Sequence, residues 1–457
     1  MSPPQSRLGR SLRFNFGWTL AGNVTYGGCQ WLMLVCIARL GDPGMLGNFV
    51  LAQAIAAPVV LFSNLQLRVI QATDSNGRFE FGHYLALRYI TTLATVLGIA
   101  VWGLAGKYRS ESLAVLMTVT LAKSIESLSD VYFGLLQRHE EMSRIAKSMI
   151  VKGCLSVVAL SVSLYLTRRL LWGALAMMLT WLGVFVFYDR RASQLCGQLR
   201  HLPNWDYRSL IQLARLAFPL GVTMMLISLN GSLPRYFMEH FKGTRGLGLF
   251  SALATLQTAG MLVVMALGNA ALPRLARFYQ AADWPGFRNT VLLILAISIA
   301  LGAMTIVPVL LGGDWLITRV FGREYSGQNQ TFIWLALAAS VSYFFAVFGY
   351  SATASHRIGF QPFAYAIVAA ATVLGCYWLV PAYGGLGAAI TMCAAAVLGG
   401  ALYVLSFAGT ARELRARWEE RERRCHSVSA QELGLSHVAA ASALLDSGRL
   451  NDRLSVS

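Results

Sequence analysis

Charge is what this sequence has least of. Only 13% of its 457 residues are Asp, Glu, Lys or Arg, against 56% hydrophobic residues and a mean hydropathy of +0.54. No soluble core buries that much apolar surface, so the composition excludes a soluble globular protein and requires an integral membrane protein. Acidic residues are the scarcer sign, 21 against 38 basic, which leaves a net charge of +17. Nucleic acid is the wrong partner for a chain made mostly of apolar spans. Its basic residues meet membrane lipids at the loops and an anionic solute inside. The seven cysteines, at 29, 36, 154, 196, 376, 393 and 425, stand singly without CxxC spacing or His partners. That excludes a disulfide framework and a zinc site.

Catalytic motifs are missing too. Gly103-Leu104-Ala105-Gly106-Lys107-Tyr108 lacks the Ser/Thr and the spacing of a P-loop, and His139-Glu140-Glu141-Met142-Ser143 lacks the final His of HExxH. His83, His240 and His356 sit singly at loop edges. One face of the chain has only short loops, the longest near 312–330, which leaves no room for a catalytic domain. The expectation is a protein that is not an enzyme and holds no metal or cofactor.

Twelve stretches are long enough to span a bilayer: 14–38, 45–67, 83–104, 113–136, 145–166, 171–188, 216–238, 246–269, 287–310, 330–351, 360–380 and 385–407. An all-α polytopic bundle follows. Lys and Arg concentrate on the side of the two termini, even without the tail, which predicts that both termini are cytoplasmic. The organisation expected is a cytoplasmic N-terminus over 1–13, six helices over 14–188, a cytoplasmic linker over 189–215, six helices over 216–407, and a partly disordered cytoplasmic tail over 408–457. Trp205 to Leu213 reads as an interfacial amphipathic helix leading into span seven. The halves echo each other in parallel. Leu46-Gly47-Asn48-Phe49 after span one matches Leu247-Gly248-Leu249-Phe250 after span seven, and Trp172-Gly173-Ala174-Leu175 matches Leu386-Gly387-Ala388-Ala389. Parallel repeats about an axis along the membrane normal are a transporter plan, with the site between the halves.

The scarce charges are not randomly placed. Lys123, Glu126, Ser127, Asp130 and Gln137 fall within about a 100° sector of the fourth span. Three charges near the bilayer centre cost on the order of 9 kcal/mol, while the span's apolar residues return on the order of 5. The stripe must face protein or water. Span five places Ser148, Lys152, Ser156 and Ser163 on one side, near the expected depth of Asp130. Two readings stand. Lys152 with Asp130 and Lys123 with Glu126 form structural pairs, or the lysines contact an anionic substrate while Glu126 or Asp130 exchanges a proton. Thr19, Asn23, Tyr26 and Gln30 make one face of span one, and Gln53, Asn64 and Arg68 one face of span two. Such residues line cavities or join helices. Arg39 reads as a snorkelling anchor on a straight helix. In span seven, Asn230-Gly231-Ser232-Leu233-Pro234-Arg235 loosens the helix ahead of a guanidinium suited to phosphate oxygens.

The runs Gly22-Asn23-Val24-Thr25-Tyr26, Gln30-Trp31-Leu32, Ala38-Arg39-Leu40-Gly41 and Asn64-Leu65-Gln66-Leu67-Arg68 carry a family likeness. So do Glu126-Ser127-Leu128-Ser129-Asp130, Asn230 to Tyr236, and Ala271-Leu272-Pro273-Arg274-Leu275. Over roughly residues 10–410 the chain resembles the bacterial oligosaccharide-lipid flippases, the Wzx-like branch of the MOP superfamily, related to MATE exporters. The resemblance implies two six-helix lobes in a V around a cavity that opens alternately to each side of the inner membrane. It implies an undecaprenyl-pyrophosphate-linked glycan as substrate, with polysaccharide polymerase or assembly proteins as further partners. By position, Arg39, Arg68, Lys123, Lys152 and Arg235 become the candidate cavity cations. Asn23, Gln30, Asn64 and Asn230 become its polar wall, and Glu126 and Asp130 the ion-coupling candidates. A MATE-type exporter of organic cations is the alternative within the fold, but it calls for a net acidic cavity. A polymerase or acyltransferase calls for a large outer loop or an acid/His pair.

Overall fold

The computed structural model describes residues 5–74, 77–106, 110–194, 202–355 and 360–451, and among these there is no strand. His356 and Cys196 lie outside the described residues. The first half holds α1 (Gln5–Leu40), α2 (Pro43–Asn64), α3 (Leu67–Thr73), α4 (Phe81–Ala105), α5 (Ser110–Arg138), α6 (Met142–Thr167) and α7 (Leu170–Val184). A π turn (Phe185–Asp189) and the short α8 (Arg190–Gln194) follow. The second half holds α9 (Tyr207–Gln280), α10 (Trp284–Val320), α11 (Asn329–Ala354), α12 (Phe360–Tyr383) and α13 (Gly385–Asn451). Twelve segments are long and apolar enough to cross a membrane, matching the twelve read from sequence. α9 supplies two of them and breaks at Gly243, whose φ of 69° suits glycine.

Local sequence sets the boundaries that matter. Asp42 caps α2, its carboxylate accepting from the backbone N–H of Gly44 and Met45, and Pro43 takes the first helical position. α2 ends at Asn64, and Leu65 and Gln66 adopt left-handed φ of 48° and 50°. Arg68 therefore rides on the separate helix α3 rather than on one face with Gln53 and Asn64. Trp205 to Leu213 forms no separate interfacial helix. α9 starts at Tyr207, capped by Asp206, and Leu210 and Leu213 are already buried against the first half. α13 continues beyond its span as helix to Asn451, where the Ser-rich composition suggests a looser tail. Arg415–Glu419 and Arg417–Glu413 pairs support its first turns outside the span.

The halves pack alike. In the first, α1 lies on α6, α2 and α4 on α5, and α7 on α5 and α6. In the second, α9 lies on α12 and α11, α10 on α11, and α13 on α11 and α12. Both sequence echoes fall on glycine contacts. Gly173 of α7 faces Leu160 of α6, and Gly387 of α13 faces the Leu379 carbonyl of α12. Gly47 and Gly248 meet each other across the seam between the halves. A Cβ on Gly47 would run into the Thr244 carbonyl, and one on Gly248 into that of Pro43. Leu46, Phe49, Leu247 and Phe250 are buried around this crossing in one continuous core. The seam is thus tightest at the face opposite the termini.

Gly47→Val should lower the thermal unfolding temperature of the purified protein by several degrees, because backbone blocks its side chain and overpacking costs about 1–3 kcal/mol. Gly28→Val, where nothing lies within 4 Å of an added Cβ, should leave that temperature unchanged.

Candidate functional site

α5 is helical through an apolar sequence whose polar residues recur on one side, and it packs into the first half, on α2, α3, α4, α6 and α7. Its stripe carries two ion clusters. Lys123 Nζ donates to Glu126 Oε2 at 2.8 Å, and Tyr26 of α1 donates its hydroxyl to Glu126 Oε1 at 2.5 Å. The lysine also lies 5.1 Å from the ring centre of Trp181. One helical turn on, Asp130 faces two guanidinium groups, Arg68 at 3.3 Å and Arg88 at 3.9 Å. Arg68 reaches Gln137 as well, so the stripe is filled along its whole length. The side chains of Lys123, Glu126, Asp130 and Arg68 keep 26–31% of their surface accessible. Charged groups in a spanning helix do not present that area to lipid tails, so it faces a watered cavity.

Arg88 of α4, which the sequence analysis did not single out, is the most deeply buried cation of the cluster. It has no accessible side-chain surface, and it donates to the side chain of Asn64 at 2.5 Å and to its carbonyl at 3.1 Å. Asn64 is therefore a partner that holds Arg88 and not a free cavity wall. With Arg68 and Arg88 sharing Asp130, the cluster retains one positive charge. The signal in the sequence was available: an Arg two turns inside an apolar span must find a carboxylate or carbonyls.

Lys152 is not paired with Asp130. Its Nζ lies 3.4 Å from Asp189, with both side chains almost fully buried, and it also donates to Ser129 at 3.0 Å. Ser148 donates to the other Asp189 oxygen at 2.5 Å. Sequence reading assigned Asp189 to the linker. The π turn Phe185–Asp189 extends α7 by one wide turn and carries the carboxylate inward. This pair joins α5, α6 and α7 away from the cavity, so Lys152 is placed to hold helices and not to meet a solute.

The remaining candidates separate in the same way. Arg39 sits at the face opposite the termini. Its guanidinium donates to the carbonyl of Val320 at 2.8 Å and to that of Arg319, closing α1 onto the C-terminal end of α10 across the seam. It is a latch between halves and not a cavity cation. Asn23 turns its amide back to the Thr19 carbonyl on its own helix, on an exposed part of α1. Gln30 stays beside Tyr26, half-buried. Asn230 bridges α9 to α12 through the Tyr365 carbonyl and so joins helices. Arg235 lies eight residues, about 12 Å, before the break at Gly243, one residue from Tyr236, whose hydroxyl bonds the Ala54 carbonyl of α2. That depth is beyond a helix-end anchor. It is half-buried, and among the described residues it has neither a carboxylate nor a carbonyl partner.

The candidate site thus comprises Tyr26, Lys123, Glu126, Asp130 and Arg68 in the first half, backed by Arg88, with Arg235 on the first helix of the second half. An apolar cavity of about 320 Å³ between α9, α10 and α11 lies apart from these charges.

Two halves of equivalent packing thus meet at one seam. The fold is similar to those of solved membrane transporters. The lipid II flippase MurJ in an inward closed conformation superposes with a TM-score of 0.66 at 10% identity, covering 89% of this chain and 89% of that one. An inward-facing multidrug resistance MATE transporter of the MOP superfamily gives 0.63 at 12% identity, over 86% of this chain and 95% of that one. No protein-family model matches. In sequence, the chain is a homologue of the capsular polysaccharide biosynthesis protein CapF of Staphylococcus aureus. The two are 26% identical over 384 residues, 83% of this chain and 94% of the relative.

Breaking the buried pair on one side should be costly. Lys152→Met should reduce folded protein in the membrane severely, since an orphaned buried carboxylate costs about 3–5 kcal/mol. Lys152→Met combined with Asp189→Leu should recover most of it, as read by fluorescence-detected size-exclusion of detergent extracts.

Proposed function

We propose that this protein flips a lipid-linked oligosaccharide, with an undecaprenyl-pyrophosphate headgroup, across the bacterial inner membrane by alternating access, for polysaccharide assembly. The observation that carries the reading is the charge left over after pairing. Two arginines share Asp130, and among the described residues Arg235 has no carboxylate partner, so each half carries unmatched positive charge inside its spans. A pyrophosphate entering a low-dielectric interior loses hydration, and fixed positive charge offsets that loss. An organic cation would need the reverse balance. Glu126 and Asp130, the carboxylates available to it, are each already bound by cations. The CapF relative, a capsular polysaccharide biosynthesis protein, supports a glycan as cargo.

In this reading the seam closed at Gly47 and Gly248 is the periplasmic one, and the face with the termini is cytoplasmic. The lipid tail stays in the bilayer while the headgroup passes between the halves, and polymerase or assembly proteins take up the product. Glu126, held by Tyr26 and Lys123, is the proposed coupling carboxylate, because a proton on it would release both partners.

Arg235→Ala should abolish or sharply reduce surface glycan in a strain depleted of its own flippase, at unchanged membrane level, and Arg235→Lys should rescue only partly because it loses the bidentate fork. Arg68→Ala should do the same, with Arg88 left to neutralise Asp130. Near-normal glycan in both alanine variants would reject the cationic site. Topology has its own check. In a Cys-less background, a cysteine placed in 105–111 should react with an impermeant thiol reagent from outside the cell, and one in 190–205 should not. The opposite pattern would invert the orientation.

A further inference from the structure

A second apolar cavity, of about 420 Å³, opens where the two halves meet on the side of the termini. Val59 and Phe62 of α2, Leu87 and Thr91 of α4, and Ala214 and Phe218 of α9 line it, so both halves contribute. Its volume is within the roughly 300–1,000 Å³ typical of small-molecule sites. The hydroxyls around it are turned back onto their own helices. Ser63 donates to the Val60 carbonyl, Thr91 to that of Arg88 and Thr95 to that of Thr91. The slot therefore offers only apolar surface to an occupant.

The charge beside the slot is positive and free. Arg208 and Arg215 are seven residues apart on α9, within about 20° of each other around the helix, and Gln212 lies between them. All three are exposed, and among the described residues neither arginine side chain has a partner. Ala214 and Phe218, which line the slot, flank Arg215 on the same helix. Trp205 and Tyr207, 58% and 75% exposed at the start of α9, mark the level of the headgroups. Arg215 lies eight residues into the helix, about 12 Å, and its long stem carries the guanidinium back toward that level.

We propose that this seam is a binding site for an anionic glycerophospholipid, one acyl chain in the slot between α2, α4 and α9 and the phosphate on Arg208 and Arg215. A chain there touches both halves at once, so its occupancy is linked to how the halves sit against each other. The inference does not rest on the proposed substrate.

The test uses the full-length protein in phosphatidylcholine nanodiscs, titrated with phosphatidylglycerol carrying a photoreactive group in one acyl chain. Cross-links should map to α2, α4 and α9 around the slot. Arg208→Gln with Arg215→Gln should weaken apparent affinity at least tenfold, from about fivefold per arginine near a headgroup. Labelling by a matched photoreactive phosphatidylcholine should not change in that variant. Ala214→Phe, which fills the slot, should suppress labelling by both lipids, with size-exclusion confirming that each variant is folded. Equal affinity for the two lipids in the unaltered protein would overturn the proposal. So would labelling that survives Ala214→Phe, or displacement of the probe by undecaprenyl phosphate with the arginines removed, which would assign the slot to a prenyl chain.

Discussion

A fixed charge inside a membrane must be matched, and the way this chain matches its few charges determines the rest of the structure. Asp189 and Lys152, nearly inaccessible, join three helices of the first half. Arg88 is buried against Asn64 and Asp130 and ties α4 to α2 and α5. These groups are framework. What is left over is small and directional: one surplus positive charge around Asp130 and one at Arg235, on opposite sides of the seam. A low dielectric makes the framework pairs necessary and makes the surplus consequential, because an unmatched cation there is strongly favourable to an anion that fits.

Backbone proximity does for the seam what charge does for the wall. Gly47 and Gly248 occupy equivalent places in the two halves, and each stands where a Cβ would strike a carbonyl of the other half. Arg39 fastens the same face by donating to the last carbonyls of α10. At the crossing itself the contact is backbone against backbone, and Leu46, Phe49, Leu247 and Phe250 pack around it, so parting the seam exposes these side chains.

Much of the fold could be read directly, because apolar length and period carry it: the all-helical class and the twelve spans follow from hydropathy. The stripe on α5 was equally visible, since three charges in an apolar helix cannot face lipid. The partners were not. Lys152 and Asp130 have matching depth and opposite sign, yet a π turn brings Asp189 inward and two left-handed residues at Leu65 and Gln66 bring Arg68 to Asp130. Both are local backbone irregularities that a 3.6-residue period cannot show. Arg39, Asn64 and Asn230 were legible as polar residues inside spans, but whether such a residue lines a cavity or joins helices depends on its neighbour.

The central claim is that the interior is built for an anion, and a soluble short-chain surrogate tests it most directly. Farnesyl pyrophosphate and farnesol, which share a prenyl chain and differ in charge, would be titrated against the detergent-solubilised full-length protein at several salt concentrations. The account predicts that the pyrophosphate binds at least tenfold more tightly, that salt erodes the difference, and that Arg235→Ala removes most of it. Equal binding of the two ligands, or displacement of the pyrophosphate by a hydrophobic organic cation, would contradict it.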